Sequence, residues 1–144
     1  MTIIIQYPYT YTMFITKEAD YGARIIRELA DGGRKTVQDI CDGELVPFQY
    51  GYKILKKLEK AGIVQGYRGA NGGYALEKST GEITLFDVIT AVDENPLFNE
   101  CLGHGYRCPL NGRGKKRCGV HTEFVRIQAL IVAGLKEKRL SEIF

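Results

Sequence analysis

The sequence predicts a mainly α fold with a single small β-hairpin, in which short helices precede the hairpin and a long helix lies near the C-terminus. Three observations predict it. Thr16, Thr36 and Pro47 each open a stretch with apolar residues at helical spacing, as N-terminal caps and first-turn prolines do. Residues 63–76 form two short β-type runs around a glycine-rich turn. Residues 120–138 are helical in pattern but apolar on more than one side.

The elements follow in order. Residues 1–12 carry β-type and aromatic residues without a helical period and are expected to be an N-terminal extension, with Met13 preceding the first helix signal. Thr16 caps the first helix, Glu18 and Asp20 favour its positive N-terminal end, and Gly32-Gly33 stops it. Its expected inner face is Ala19, Ala23, Ile26 and Ala30. Thr36 and Asp39 form a capping pattern for a second helix, with Val37, Ile40 and Cys41 inward and Asp42-Gly43 at its end. Pro47 suits the first position of a third, whose expected inner stripe is Tyr50, Ile54, Leu58 and Ala61 and whose stop is Gly62. The tight turn between the second and third makes a helix-turn-helix.

Ile63 to Tyr67 reads as a strand, 68–73 as a turn in which Asn71-Gly72 supplies positive φ angles, and Tyr74 to Leu76 as the returning strand. A helix-turn-helix followed by such a hairpin is a winged helix, here spanning residues 13–78. Residues 79–100 are expected to hold a short helix from Thr84 to about Asp93, ended by Asn95-Pro96, and a connector. Residues 101–119 are a loop by composition. Residues 120–144 supply the long helix and a tail. Val120, Phe124, Ile127, Ile131 and Leu135 make one face of that helix, while Val125, Leu130 and Val132 lie elsewhere. Such a helix needs cover on more than one side, and in a chain this short a second copy is the expected cover, which makes it a dimerisation helix.

A chain of 144 residues excludes a large two-domain enzyme, and 44% hydrophobic with 26% charged residues is an ordinary globular composition. The net charge of +3 is too small to prove a nucleic-acid partner, so distribution matters more. Lys53, Lys56, Lys57, Lys60 and Arg68 face one acid, Glu59, and a second cluster gathers Arg107, Arg113, Lys115, Lys116 and Arg117. No apolar run approaches a membrane span and no signal peptide is evident, so a cytoplasmic location without membrane attachment is expected. The four cysteines are then thiolates or metal ligands rather than disulfides.

Major-groove readers place base-contacting side chains early on a helix and cations against phosphates. The third helix offers Phe48, Gln49, Tyr52 and Lys53 on its early turns, with Gln49 as base reader, and Lys56, Lys57 and Lys60 as phosphate contacts or ordinary solubilising charge. Arg68 and Asn71 stand at the wing, where an arginine enters a minor groove. Double-stranded DNA is the partner this arrangement points to.

Cys101, Cys108 and Cys118 are separated by six and nine residues, and His121 follows Cys118 after two more. Three thiolates and an imidazole on one loop suit an iron-sulfur cluster or a single zinc, and spacing alone does not separate the two. Cys41, inside an apolar helical pattern, reads as a small buried residue.

Phe14-Ile15-Thr16, the run from Lys56 to Gly62, Arg68-Gly69-Ala70-Asn71-Gly72-Gly73-Tyr74 and the run from Ile83 to Ile89 resemble the IscR/NsrR/CymR-type bacterial winged-helix transcription regulators over nearly everything from Met13 onward. The resemblance implies a homodimer on a two-fold related DNA operator, sensing iron-sulfur, redox or nitric oxide status. It maps the three cluster cysteines onto Cys101, Cys108 and Cys118. IscR-like members imply His121 as fourth ligand of a 2Fe-2S cluster, the favoured form; NsrR-like members imply Asp20 of the opposite subunit and a 4Fe-4S cluster. The second cysteine gap is longer than usual, and Ala70-Asn71 stands where Pro-Gly is common.

A cluster-free or zinc-stabilised regulator responding to a partner protein or thiol modification is the alternative. An enzyme ranks last, because the chain has no Cys-x-x-Cys redox pair and no nucleotide loop.

Overall fold

The computed structural model describes residues 15–96, 98–110 and 118–144. The expected extension at 1–12 and the cations Arg113, Lys115, Lys116 and Arg117 lie outside the described residues.

Helix α1 (Lys17–Leu29) starts where Thr16 accepts the Ala19 N–H at 3.2 Å. Its buried face is Ala19, Gly22, Ile25, Ile26 and Leu29. Ala30 is exposed at the C-cap, so the inner stripe is carried by larger residues than Ala23 and Ala30. Helix α2 (Val37–Glu44) is capped by Thr36, which accepts the Asp39 N–H at 3.1 Å, and it buries Ile40 and Cys41. It runs past Asp42-Gly43 and turns at Leu45, which adopts φ 53° and ψ 43°.

Helix α3 (Phe48–Lys60) has Pro47 as its cap rather than its first residue. Its buried stripe is Gly51, Ile54, Leu55 and Leu58, whereas Tyr50 and Ala61 are exposed. The reason is Gly51. A Cβ there would lie 2.3 Å from the Cys41 sulfur, so α2 crosses α3 over a position that no hydrophobic pattern marks. Gly62, at φ 70°, ends α3 in a Schellman motif: the Ile63 N–H donates to the Leu58 carbonyl and the Gly62 N–H to that of Glu59, both at 2.9 Å.

Strands β1 (Val64–Tyr67) and β2 (Gly73–Leu76) pair antiparallel, from Val64 opposite Leu76 to Tyr67 opposite Gly73. Lys35 bridges to Tyr74 on the far side of β2, with backbone bonds of 3.0 and 2.8 Å in the two directions. The wing is thereby sewn to the segment between α1 and α2.

Helix α4 (Leu85–Val92) begins with a capping box in which buried Thr84 and Asp87 satisfy each other's backbone N–H. It packs Val88 and Val92 against Gly22 of α1. Helix α5 (Gly119–Glu137) buries none of its residues, and Val120, Val125, Leu130 and Ile131 are exposed large apolar side chains. After it the chain folds back: Leu140 donates its N–H to the Ile83 carbonyl at 2.9 Å, and its side chain is fully buried in the core with Ile25, Ile26, Ile54 and Val88. Burying such a side chain contributes about 2 kcal/mol, so this turn anchors the C-terminal end of α5. Among the described residues no helix is long and apolar enough to cross a membrane.

Candidate nucleic-acid interface and metal centre

At about 3.6 residues per turn, the side of α3 opposite its buried stripe carries Gln49, Lys53, Lys56 and Lys60, all exposed. Phe48 and Tyr52 flank it and are about half exposed. Lys53 is exposed beside Gln49, the arrangement that base and phosphate contact requires. Lys56 reaches Glu59 at 3.0 Å, and that carboxylate, with the nearby Tyr74 hydroxyl, pushes its ammonium pKa up.

Lys57 is placed differently from the phosphate-contacting position expected for it. It lies on the flank that faces α1 and α4, where its ammonium pairs with Glu18 at 2.6 Å and donates to the Val92 carbonyl at 2.8 Å. One basic run in sequence thus divides into a solvent-facing row and a structural tie, because a single step along a helix turns the side chain through more than a quarter of a circle.

The wing departs from the expected turn chemistry. Positive φ angles fall at Gly69 (95°) and Gly73 (135°), not at Asn71 and Gly72. Gly73 is needed twice, since a Cβ there would also meet the Lys35 carbonyl oxygen at 2.4 Å. Arg68 and Asn71 are both exposed at the tip. Glu59 accepts the Gly66 N–H at 3.1 Å, so α3 holds β1 directly; its bond to Lys56 is the main reason its carboxyl pKa is lowered. Arg34, which the sequence did not single out, lies across the wing. Its guanidinium sits 3.6 Å from the centre of the Tyr67 ring and donates to the Asn71 carbonyl at 2.7 Å. These partners are far apart in the chain, so no local pattern announces them.

Cys118 and His121 stand at the start of α5, and Cys101 approaches His121 from the connector. Cys101 stands in a short turn of 3-10 helix (Glu100–Leu102), whose Asn99 cap accepts the Cys101 N–H at 3.0 Å. Cys118 caps α5, its sulfur accepting the His121 N–H at 3.4 Å, and His121 Nδ1 lies 3.5 Å from Cys101 Sγ. Phe98 fastens the connector to α5, donating its N–H to Gln128 at 2.7 Å and meeting Phe124 edge-on at 5.4 Å. Tyr106 is held near both Cys101 and Cys108: desolvation first, then Glu100, Cys108 and Cys101, push its phenol pKa up. Among the described residues no three His, Cys, Asp or Glu side chains are gathered as a metal site. Asp20, the alternative ligand, is held by Arg24 at 2.8 Å. Cys41 is buried, and desolvation with Asp42 nearby raises its thiol pKa.

The model of the Rrf2 family, described as iron-dependent transcriptional regulators, matches residues 15–144. The chain belongs to the Rrf2 family. The protein aau3 of Rhizobium meliloti is similar at 36% identity over 101 residues, covering 68% of this chain and 66% of that protein. The HTH-type transcriptional regulator IscR of Vibrio atlanticus is 28% identical over 134 residues, covering 91% of this chain and 75% of that one. The solved structure of CymR, described as the global cysteine regulator of B. subtilis, matches with a TM-score of 0.70 at 21% identity, covering 92% of this chain and 96% of that chain.

As an Rrf2 protein the chain is a transcriptional regulator of the IscR-like kind, and its DNA-binding half is the part whose geometry is most complete. Gln49, Lys53 and the wing tip all stand on exposed ground, joined to one core through Gly51, Glu59 and Lys57.

Proposed function

We propose that this Rrf2 regulator acts as a homodimer on a two-fold related operator, and that Cys101, Cys108, Cys118 and His121 hold an iron-sulfur cluster whose state sets DNA affinity. The observation that carries the cluster reading is the approach of His121 Nδ1 to Cys101 Sγ at 3.5 Å across 20 residues of sequence. A soft thiol and an imidazole from separate elements are the donor types that such clusters accept. His121 is the better fourth ligand than Asp20, because Asp20 would have to leave its ion pair with Arg24. That choice favours a 2Fe-2S over a 4Fe-4S cluster. When bound, the cluster supplies a redox-active and nitric-oxide-reactive centre. The chain's own contribution is to fix the Cys101 turn through Asn99 and to hold His121 on the first turn of α5.

The homodimer rests on α5, whose exposed Val120, Val125, Leu130 and Ile131 would otherwise face water. Gln49, Phe48, Tyr52 and Lys53 enter the major groove; Lys56 and Arg68 meet phosphate or minor groove, with Asn71 shaping the wing tip. A cytoplasmic location goes with this reading.

The deciding experiment is the visible spectrum with iron and acid-labile sulfide analysis of protein purified without oxygen, followed by operator binding with and without the chromophore. Sulfide-to-iron absorption with matched iron and sulfide, lost in Cys108→Ala together with a changed DNA affinity, is the expected result. Equal DNA binding by both forms overturns the switch. A second reading, zinc or free thiols, is favoured by Cys118, whose sulfur already caps α5. One zinc per chain in a colourless protein supports it over the cluster.

A further inference from the structure

We propose that Arg34 is a preorganised phosphate clamp, which makes the wing a two-arginine contact with the DNA backbone; the proposal rests on the DNA-binding reading above.

Five cations described on this domain are ordered by acids. Arg27 pairs with Glu44, Lys35 with Glu28 and Asp31, Lys56 with Glu59, Lys57 with Glu18, and Arg24 with Asp20. Arg34 is ordered without one. Its guanidinium lies flat enough on the Tyr67 ring to bring the central carbon 3.6 Å from the ring centre, and one Nη1 bond of 2.7 Å goes to the Asn71 carbonyl. Among the described residues no carboxylate lies within ion-pair distance of it. A guanidinium has five N–H donors in a rigid fork. One serves Asn71, and the rest are left for an acceptor from outside.

Location decides which acceptor. Arg34 is exposed, and its two partners are the last residue of β1 and a residue of the wing turn, on either side of Arg68. The Lys35–Tyr74 bridge fixes its backbone to β2. The side chain is therefore tied to the wing turn that carries Arg68. An ordered, unneutralised guanidinium beside a second arginine is what a phosphodiester oxygen recognises, because the side-chain entropy that a free surface arginine would lose on binding has already been given up on folding. The ring and the carbonyl thus replace a carboxylate as the ordering device, and they leave the charge unspent.

The test uses a nonspecific 30-base-pair duplex, with affinity measured by fluorescence anisotropy from about 50 to 200 mM salt. One lost phosphate contact lowers the log–log salt slope by about 0.9, so the Kd ratio between wild type and variant shrinks roughly 3.5-fold across that range. Arg34→Gln removes the charge and shortens the side chain; it is expected to show this drop in slope with a melting temperature little changed, because the lost bond lies at the surface. Arg34→Lys is expected to recover the slope, and Tyr67→Leu to weaken binding while keeping the slope. Lys138→Met, which removes an exposed cation just past α5, is the control that leaves both unchanged. Arg34→Gln with the wild-type slope overturns the clamp while the DNA reading stands. A wild-type protein with no salt-dependent binding overturns the DNA reading and the clamp with it.

Discussion

Replacing Gly51 by Ala tests whether the crossing of α2 over α3 is set by that glycine. The added Cβ would lie 2.3 Å from Cys41 Sγ and 3.6 Å from a Val46 methyl. Nonbonded heavy atoms settle at about 3.5–4.0 Å, so more than 1 Å of overlap must be absorbed. Cys41 is only 2% exposed and cannot swing its sulfur into solvent. Overpacking of this kind costs about 3 kcal/mol at the upper end, against a gain of about 1 kcal/mol in helix propensity, leaving a net loss of roughly 2 kcal/mol. At about 3–5 °C per kcal/mol for a chain of this size, the melting temperature falls by roughly 6–10 °C.

Cys41→Ala removes the clashing atom and leaves the new Cβ with ordinary neighbours, the Cys41 Cβ position at 4.0 Å and Val46 at 3.6 Å. In that background Gly51→Ala should stabilise by about 1 kcal/mol, so the coupling in the cycle is about 3 kcal/mol. The assay is urea unfolding followed by circular dichroism at one fixed protein concentration, because any association would otherwise enter the result. A stabilising Gly51→Ala in the native background, or equal effects in both backgrounds, would refute the reasoning. The functional companion is a loss of DNA affinity in Gly51→Ala that Cys41→Ala restores.

Thr84→Ala removes both the cap of α4 and a buried hydroxyl bonded to Asp87 at 2.8 Å, and should cost about 1–2 kcal/mol in the same unfolding assay. Lys57→Met should cost about 1 kcal/mol of stability and leave the salt dependence of DNA binding unchanged, whereas Lys53→Ala should leave stability unchanged and lower the salt slope by about 0.9. Glu59 has its pKa lowered below 4.5, chiefly by Lys56, so the stability it contributes is present above the ordinary carboxylate range and is lost as pH falls through its folded value. Wild type should therefore lose stability faster than Glu59→Gln as acid is added below about pH 5, with the Gly66 amide exchanging faster as its acceptor protonates.

The sequence made the helix starts, the Gly62 stop and the hairpin legible because caps and glycine stops act locally: Thr16, Thr36 and Thr84 each satisfy an N–H three residues on. The packed faces were harder to read. Gly51 buries by absence of a side chain, so a scan for apolar spacing slid the α3 stripe onto Tyr50 and Ala61. Lys57 looked like one cation in a basic run until Glu18 and Val92, distant in sequence, claimed it. Arg34 and Gly73 escaped for the same reason, since both are set by the tertiary bridge at Lys35, whereas Gly69 takes its positive φ inside the wing turn. At the cysteines, residue type and spacing were legible; one approach, Cys101 to His121, is made, while among the described residues no three of the candidate ligands are gathered. That Cys118 would spend its sulfur on capping α5 was not legible, because a cysteine is not one of the usual cap residues.

A path of contacts joins Cys101 to α3. His121 beside Cys101 is on α5; Lys136 of α5 lies 4.3 Å from the Phe86 ring on α4; and the Val92 carbonyl ending α4 accepts Lys57 of α3. The links differ in stiffness. Helices α1, α3 and α4 share fully buried residues, while α5 buries none and is held to this domain by its C-terminal end, its start being tied to the connector at Cys101 and Phe98. A ligand shifts an equilibrium only by its differential affinity for two arrangements, and a tenfold change in DNA affinity needs about 1.4 kcal/mol of it. In the proposed switch that energy is best delivered where packing resists least, by moving the start of α5 relative to the rigid core. The Lys57 tie then becomes informative: Lys57→Met should reduce the ratio of DNA affinities between cluster-loaded and cluster-free protein while leaving both salt slopes intact. An undiminished ratio would place the coupling in the subunit interface instead of in the α4–α3 contact.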